Sequence, residues 1–199
     1  MRDKKRMVFL GSSVTYGSAA GGVSFADMIG ERTGCEIIKE AVSGTTLCDN
    51  GKSSYVSRFS ALEVCGRVDR FVCQLSTNDA AVKAPPGTVS DGYDIGGFDT
   101  KTTAGAIEYI TALAKKRYGC PVYFYTSPEF NSAEYGKLVE LLLEISEKWG
   151  FSVIDMWNDK SFSSISDEER RRWLADPIHP TREGYLEWWT PYFEKHLFG

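Results

Sequence analysis

Five short apolar segments, Met7–Leu10, Ile37–Ile38, Phe71–Leu75, Val122–Tyr125 and Val153–Ile154, alternate along the chain with stretches of helical spacing or turn residues. This alternation restricts the fold more than any other feature. The clearest helical stretch carries Tyr135, Leu138, Val139, Leu142, Ile145 and Trp149 at i, i+3, i+4, i+7 spacing and stops at Gly150, a residue suited to a left-handed helix cap. Ile107, Ile110, Leu113 and Ala114 mark another. Strands joined in this way lie parallel, with right-handed crossovers and helices on both faces. The expected fold is therefore α/β, a three-layer α/β/α sandwich with a five-stranded parallel sheet. A chain of 199 residues forms one such domain, 1–199, and buries most of its apolar surface without disulfides or metals. In sheets of this kind ligands bind beyond the carboxyl ends of the strands.

The charge balance narrows the partners. A formal charge of −4 and a pI near 5.3 argue against nucleic acid, because phosphate binding needs clustered Lys and Arg. Lys4, Lys5 and Arg6 lie at a frayed N-terminus, and Arg170, Arg171 and Arg172 follow Asp167, Glu168 and Glu169, the pattern of a solvated, dipole-compensated helix. The apolar stretch Met7–Leu10 is shorter than the roughly 7 to 15 residues of a secretory signal, and no run approaches the ~20 residues of a membrane helix. Five cysteines, at 35, 48, 65, 73 and 120, form an odd set without metal-like spacing. They read as reduced, buried thiols of a cytoplasmic protein.

One segment breaks the alternation. From Ala80 to Thr103 the chain carries Pro85, Pro86, several glycines and polar residues with neither helical nor strand periodicity. Loops of this length are often lids or binding loops, the alternative being a surface excursion.

The strand ends hold the groups able to react. Gly11-Ser12-Ser13-Val14-Thr15-Tyr16-Gly17 follows the first strand and places Ser13 at the carboxyl edge of the sheet, with a helix starting behind it. Taken alone it reads equally well as a turn or N-cap serine. An alcohol nucleophile needs a base, and the chain has two histidines. His196 lies near the C-terminus on the last helix and reads as a surface residue. His179 lies in Asp176-Pro177-Ile178-His179-Pro180, where prolines stiffen a loop and Asp176 can fix the imidazole tautomer; an Asp-Pro turn with an incidental histidine is the plainer reading. Asn78, in Ser76-Thr77-Asn78-Asp79 after the third strand, can donate to an oxyanion or close an Asx-turn. Gly44, in Ser43-Gly44-Thr45 after the second, offers a backbone N–H that a ligand can approach closely.

In order, these four segments resemble the SGNH (GDSL-like) hydrolases. Phe9 to Gly17 matches the nucleophile block, Ala41 to Thr46 the glycine block, Gln74 to Asp79 the asparagine block and Asp176 to Pro180 the Asp-x-x-His-Pro block, so the likeness covers nearly the whole chain. It implies a flavodoxin-like fold and a serine esterase. Ser13 would be the nucleophile, His179 the base and Asp176 its orienter, with the Ser13 and Gly44 amides and the Asn78 side chain as oxyanion hole. Two residues depart from the pattern. Ser12 replaces the aspartate of the name motif and resembles the Gly-Ser-Ser variant of sugar-ester hydrolases. Ser76 stands where glycine is usual, which puts the local backbone of the asparagine block in question. The implied chemistry is ester hydrolysis through an acyl-enzyme, without cofactor, and one histidine beside the other site residues does not suit a zinc or di-iron centre.

The surroundings of the triad suggest the substrate. Tyr185, Trp188 and Trp189 are spaced to pack the last helix onto the sheet, with Trp188 the ring expected near the site, and Tyr93 and Phe98 lie in the long loop among polar residues. These features point to short acyl groups, such as acetyl, on a polar or carbohydrate alcohol. The alternatives are a lysophospholipase, thioesterase or acylase and, in a different class, a non-catalytic anion-binding module. Against the last, the chain has neither a Walker lysine nor GxGxxG.

Overall fold

The computed structural model describes residues 4–199. Five strands, β1 (Arg6–Gly11), β2 (Glu36–Ala41), β3 (Arg70–Gln74), β4 (Val122–Tyr125) and β5 (Ser152–Ile154), pair in parallel in the order β2-β1-β3-β4-β5. Ten α-helical segments are distributed among them: α1 (Ser13–Tyr16), α2 (Phe25–Thr33), α3 (Tyr55–Ala61), α4 (Thr77–Ala81), α5 (Thr103–Tyr118), α6 (Ala133–Trp149), α7 (Lys160–Ser163), α8 (Asp167–Trp173), α9 (Arg182–Gly184) and α10 (Thr190–Phe198). A π-helical stretch, Tyr185–Trp189, joins α9 to α10.

The alternation of side chains along a strand divides the core in two. Val8, Leu10, Phe71, Cys73, Val122 and Phe124 point to the face covered by α3, α5 and α6. Met7, Phe9, Val72, Tyr125 and Ile154 point to the other, where α2 and the C-terminal helix bring Phe25, Tyr185, Trp189 and Phe193. Phe25 stacks on Phe193 at 4.0 Å, and burial of each such side chain contributes about 1.5–3 kcal/mol. The result is the expected three-layer sandwich.

The helix ends agree with their sequence signals. α6 ends in a left-handed Gly150, whose N–H donates to Ser146 O at 2.8 Å. α8 begins with a capping box between Ser166 and Glu169, and Arg172 at its end pairs with Glu183 and Glu187. Arg6 is not frayed as expected: it lies in β1 and pairs with Glu36 at 2.9 Å. All five cysteines are free, but only Cys35, Cys48 and Cys73 are buried, and Cys65 is exposed. Among the described residues no helix is long and apolar enough to cross a membrane.

The chain runs from β1 outward to β2, then crosses back over β1 to β3, so the winding direction reverses between β1 and β3. Connections diverge at such a switch point and leave a crevice beyond the carboxyl ends of the two strands. Ser13 follows β1 and Asn78 follows β3.

Candidate active site

Packing sets the turn that carries Ser13. A Cβ on Gly11 would lie 1.8 Å from Thr15 Oγ1 and 2.8 Å from Gln74 Oε1, so only glycine lets the chain leave β1 here. Gln74 Oε1, at the end of β3, accepts from the Ser12 N–H at 2.9 Å, from Thr15 Oγ1 at 2.9 Å and from Ser12 Oγ at 3.4 Å. The Thr15 hydroxyl in turn lies 2.6 Å from Tyr125 Oη, and burial holds that phenol well above its ordinary pKa, in its protonated form. Ser12 is therefore fully buried in a polar network, while Ser13 keeps 8% exposure and is the hydroxyl a substrate can reach.

Ser13 Oγ lies 2.7 Å from His179 Nε2, and His179 Nδ1 lies 2.7 Å from Asp176 Oδ2. With the imidazole proton on Nδ1, the ring donates to the carboxylate and accepts from the serine. Asp176 Oδ1 also accepts from the backbone N–H of Ile178 at 2.8 Å and of His179 at 2.9 Å, which closes the Asp-Pro-Ile-His turn. Burial works against the charge of Asp176, but these two N–H groups and the imidazole outweigh it and hold the carboxyl below its usual pKa. The loop is tied at its base by Ala175 N–H to His179 O at 2.9 Å, Thr181 N–H to Trp173 O at 2.8 Å and a bridge between Leu174 and Pro180. His196, exposed on α10, lies 2.8 Å from Tyr192 O and stays apart from this cluster.

The expected amide donors lie in the segments that follow β2 and β3. Gly44 has φ +78°, which favours glycine, and a Cβ there would meet nothing within 4 Å. Asn78 Nδ2 donates to Thr45 O at 2.9 Å, which uses one amide hydrogen, fixes the side chain and leaves the second hydrogen. Ser76, the residue that departs from the usual glycine, caps α4 by accepting from the N–H groups of Asn78 at 3.1 Å and Asp79 at 3.4 Å. The substitution thus supports the asparagine block.

Two residues of this framework carry no signal in the sequence. Gln74 is the one polar residue of an otherwise apolar strand segment, Phe71–Leu75. Asp79 follows Asn78 without a role of its own, whereas its buried carboxylate accepts from the N–H groups of Leu47 at 2.6 Å and Cys48 at 3.0 Å and ties the glycine loop to α4.

The three expected substrate-binding aromatics are not brought to the site. Tyr93 and Phe98 pack edge-on against Trp149, with ring centroids 5.0 and 5.9 Å away, where α6 ends before the amino end of β5. Trp188 is buried: it stacks between Phe162 at 4.6 Å and Trp173 at 5.9 Å, and its Nε1–H donates to Phe162 O at 3.0 Å. Stacking claims that ring, which reaches only a small cavity beside Pro177 and Ile178. Beside Asp176 instead lies a groove of about 450 Å³ between the loop after β4 and α8, lined by Phe130, Asn131, Arg170, Leu174 and Pro177 among others.

A hydroxyl within reach of an imidazole that a carboxylate orients, at the switch point of a parallel sheet, defines an α/β-sandwich hydrolase of the ester-cleaving type. Residues 9–186 match the GDSL-like Lipase/Acylhydrolase family, and the chain belongs to that family. Among solved structures it resembles a protein from Lactobacillus plantarum (16% identity, 99% of this chain and 98% of that one, TM-score 0.80). It also resembles a member of the lipolytic protein G-D-S-L family from Veillonella parvula (14% identity, 98% of each chain, TM-score 0.68). At these identities the likeness is one of fold. No curated protein matches the chain. Among the described residues no group of three or more His, Cys, Asp or Glu side chains is placed to hold a metal ion.

Proposed function

We propose that the protein is a serine esterase that hydrolyses short-chain acyl esters, acetyl above all, of a polar or carbohydrate alcohol. The observation that carries the chemistry is the Ser13-His179-Asp176 relay, with both of its contacts at 2.7 Å. In this reading His179 Nε2 takes the Ser13 proton as Oγ attacks the ester carbonyl, and the Ser13 and Gly44 amides with Asn78 Nδ2 receive the oxyanion. His179 then protonates the departing alkoxide. Water, deprotonated by the same imidazole, attacks the acyl-enzyme carbonyl, and His179 passes that proton to Ser13 Oγ as the bond to the acyl group breaks and the acid leaves. Asp176 holds the ring in the productive tautomer and stabilises it when protonated, without itself taking the proton. Each step uses groups of the chain and water alone.

Support for a polar alcohol comes from the groove beside Asp176, where Phe130 offers a half-buried ring face and Asn131, Arg170 and Arg171 offer donors. Support for a small acyl group comes from the filled space behind Ser13, occupied by Thr15, Gln74 and Tyr125. A second reading, a lysophospholipase or thioesterase, is favoured by one feature: Phe130, Leu174 and Pro177 give the groove apolar surface that a longer chain could cover. The test is a panel of chromogenic esters from acetate to octanoate, with a fluorophosphonate to label the nucleophile. Highest kcat/KM for acetate and labelling lost in Ser13→Ala are expected; faster turnover of octanoate would replace the short-acyl reading with the second.

A further inference from the structure

Arg58 touches none of the reacting groups, yet its guanidinium joins the segments that carry them. Its side chain, on α3, is only 9% exposed. Nη2 donates to Gly11 O at 2.8 Å and to Thr45 Oγ1 at 3.2 Å; Nη1 donates to Glu40 O at 2.9 Å and to Glu40 Oε1 at 3.0 Å; Nε donates to Ser53 O at 2.9 Å. Gly11 ends β1 two residues before Ser13, Glu40 lies one residue from the end of β2, and Thr45 follows Gly44. Beyond Ala41 the strand ladder ends in one long bond, Val42 N–H to Gly11 O at 3.3 Å, on the same carbonyl that accepts from Arg58. From there the glycine loop is held by the Thr45 hydroxyl, which donates to Val42 O at 2.7 Å, by Arg58 and, at its far end, by the Asp79 carboxylate. The carbonyl of Thr45 accepts from Asn78 Nδ2. One series of contacts therefore runs from the Ser13 turn through Gly11 O, Arg58 and Thr45 to Asn78.

We infer that Arg58 is a positioning residue, whose guanidinium, with Thr45, sets the mutual spacing of the Ser13, Gly44 and Asn78 donors. The inference rests on the proposed oxyanion role of those three groups. The physical reason is the tolerance of such a site: a misplacement of about 1 Å can cost ~100-fold in rate. A planar fork of five donors bridges three segments in a fixed geometry, whereas an ammonium on a flexible stem offers three donors and leaves their directions free. Arg117 supplies the contrast. Its guanidinium also caps carbonyls, those of Phe59 at 2.6 Å, Ser60 at 2.7 Å and Leu62 at 3.2 Å, but all three belong to the end of one helix. Arg117 holds a helix terminus, whereas Arg58 holds the edges of the site.

The experiment compares steady-state kinetics on a short-chain ester, fluorophosphonate labelling and melting temperature for the wild type, Arg58→Met, Arg58→Lys, Thr45→Val, Arg117→Met, Asn78→Ala and the Arg58→Met/Asn78→Ala double variant. Arg58→Met and Arg58→Lys should lower kcat by ~10–100-fold with KM within about threefold, and Thr45→Val by ~10-fold. Arg117→Met should lower the melting temperature and leave kcat in place. The double variant should be little slower than Asn78→Ala, because both changes act on the same donors. Millimolar guanidinium should restore part of kcat to Arg58→Gly. Should Arg58→Met fail to fold, Arg58→Lys and Thr45→Val carry the test. Retention of kcat within about threefold in both Arg58→Lys and Thr45→Val, with the wild type labelled at Ser13, overturns the role of Arg58 alone. A wild type that is not labelled at Ser13 overturns the esterase reading and the inference with it.

Discussion

Two loops of this protein differ in how far their composition tells what they do. The excursion 82–102 has the composition of a lid, yet it is fastened to the body of the molecule. Its Ser90 N–H and Oγ donate to the buried Glu108 carboxylate at 3.0 and 3.1 Å, and Glu108 also accepts from Lys148 Nζ at 2.5 Å and Trp149 Nε1 at 3.0 Å. Pro85 O and Pro86 O accept from the first amides of α5, those of Thr103 and Ala104, at 2.9 Å. Loop 174–180, by contrast, looks like an ordinary Asp-Pro turn and is largely exposed, with the Asp176 side chain at 49%, yet it carries the carboxylate and the imidazole. Prolines and glycines mark where regular structure is absent; motion depends on whether the backbone and polar groups of the segment find partners.

The largest expected effect lies in the exposed loop. His179→Ala should lower kcat by ~10⁴–10⁶-fold while the protein remains folded, because little apolar surface is lost there; steady-state kinetics and a melting curve check both halves. Asp176→Asn keeps the shape but disturbs the tautomer, and a loss of about 10⁴-fold is expected. Asn78→Ala should cost about 10²–10³-fold in kcat with KM nearly constant; a rise in KM alone would make Asn78 a binding or turn residue.

Acidification sharpens the same comparison. The lowered pKa of Asp176 keeps its carboxylate ionised, and able to orient His179, until the pH falls below the usual carboxylate range. A second carboxylate acts on stability instead. Burial opposes the charge of Glu108, but Lys148, Trp149 and Ser90 outweigh it and lower its pKa. The stability it contributes is complete above the ordinary carboxylate pKa and is lost as the pH falls through the lowered value. An acid-unfolding curve should therefore show this contribution lost only below the ordinary carboxylate range, and Glu108→Gln should remove that pH dependence.

The smallest effect on turnover is expected in the fastened excursion. Glu108→Ala leaves Lys148 without its partner and should cost about 3 kcal/mol of stability, read by urea unfolding, with kcat on acetate within about threefold of the wild type. A large fall in kcat with stability unchanged would return the excursion to the role of a lid.

Much of the fold was legible because it rests on local rules. The spacing from Tyr135 to Trp149 and the cap at Gly150 mark α6 to within two residues of its start, Ala133. The apolar segments locate all five strands, although β2 was seen as two residues and spans six, since Glu36, Lys39 and Glu40 place charge on a partly exposed edge strand. The reactive residues were legible for a related reason. Ser13, Gly44, Asn78 and Asp176 to His179 each lie in a short segment that alone reads equally as a turn or cap, and it is the four segments in order that point to the site. Gln74, Asp79 and Arg58 were not, because each acts on backbone groups far away in sequence: Gln74 on Ser12, Asp79 on Leu47 and Arg58 on Gly11.

By itself, then, the sequence determined the alternation of strands and helices, the helix caps and the identities of the groups at the strand ends, all of which depend on neighbours along the chain. Only the tertiary structure decided that Ser13 and His179, 166 residues apart, meet at 2.7 Å. It also decided that Trp188 is buried in a stack and that a lid-like loop is pinned by a buried ion pair. A side chain's partners across the sheet depend on strand order and packing, and the free energy of those contacts is set by three-dimensional proximity and desolvation, to which spacing along the chain gives no direct guide.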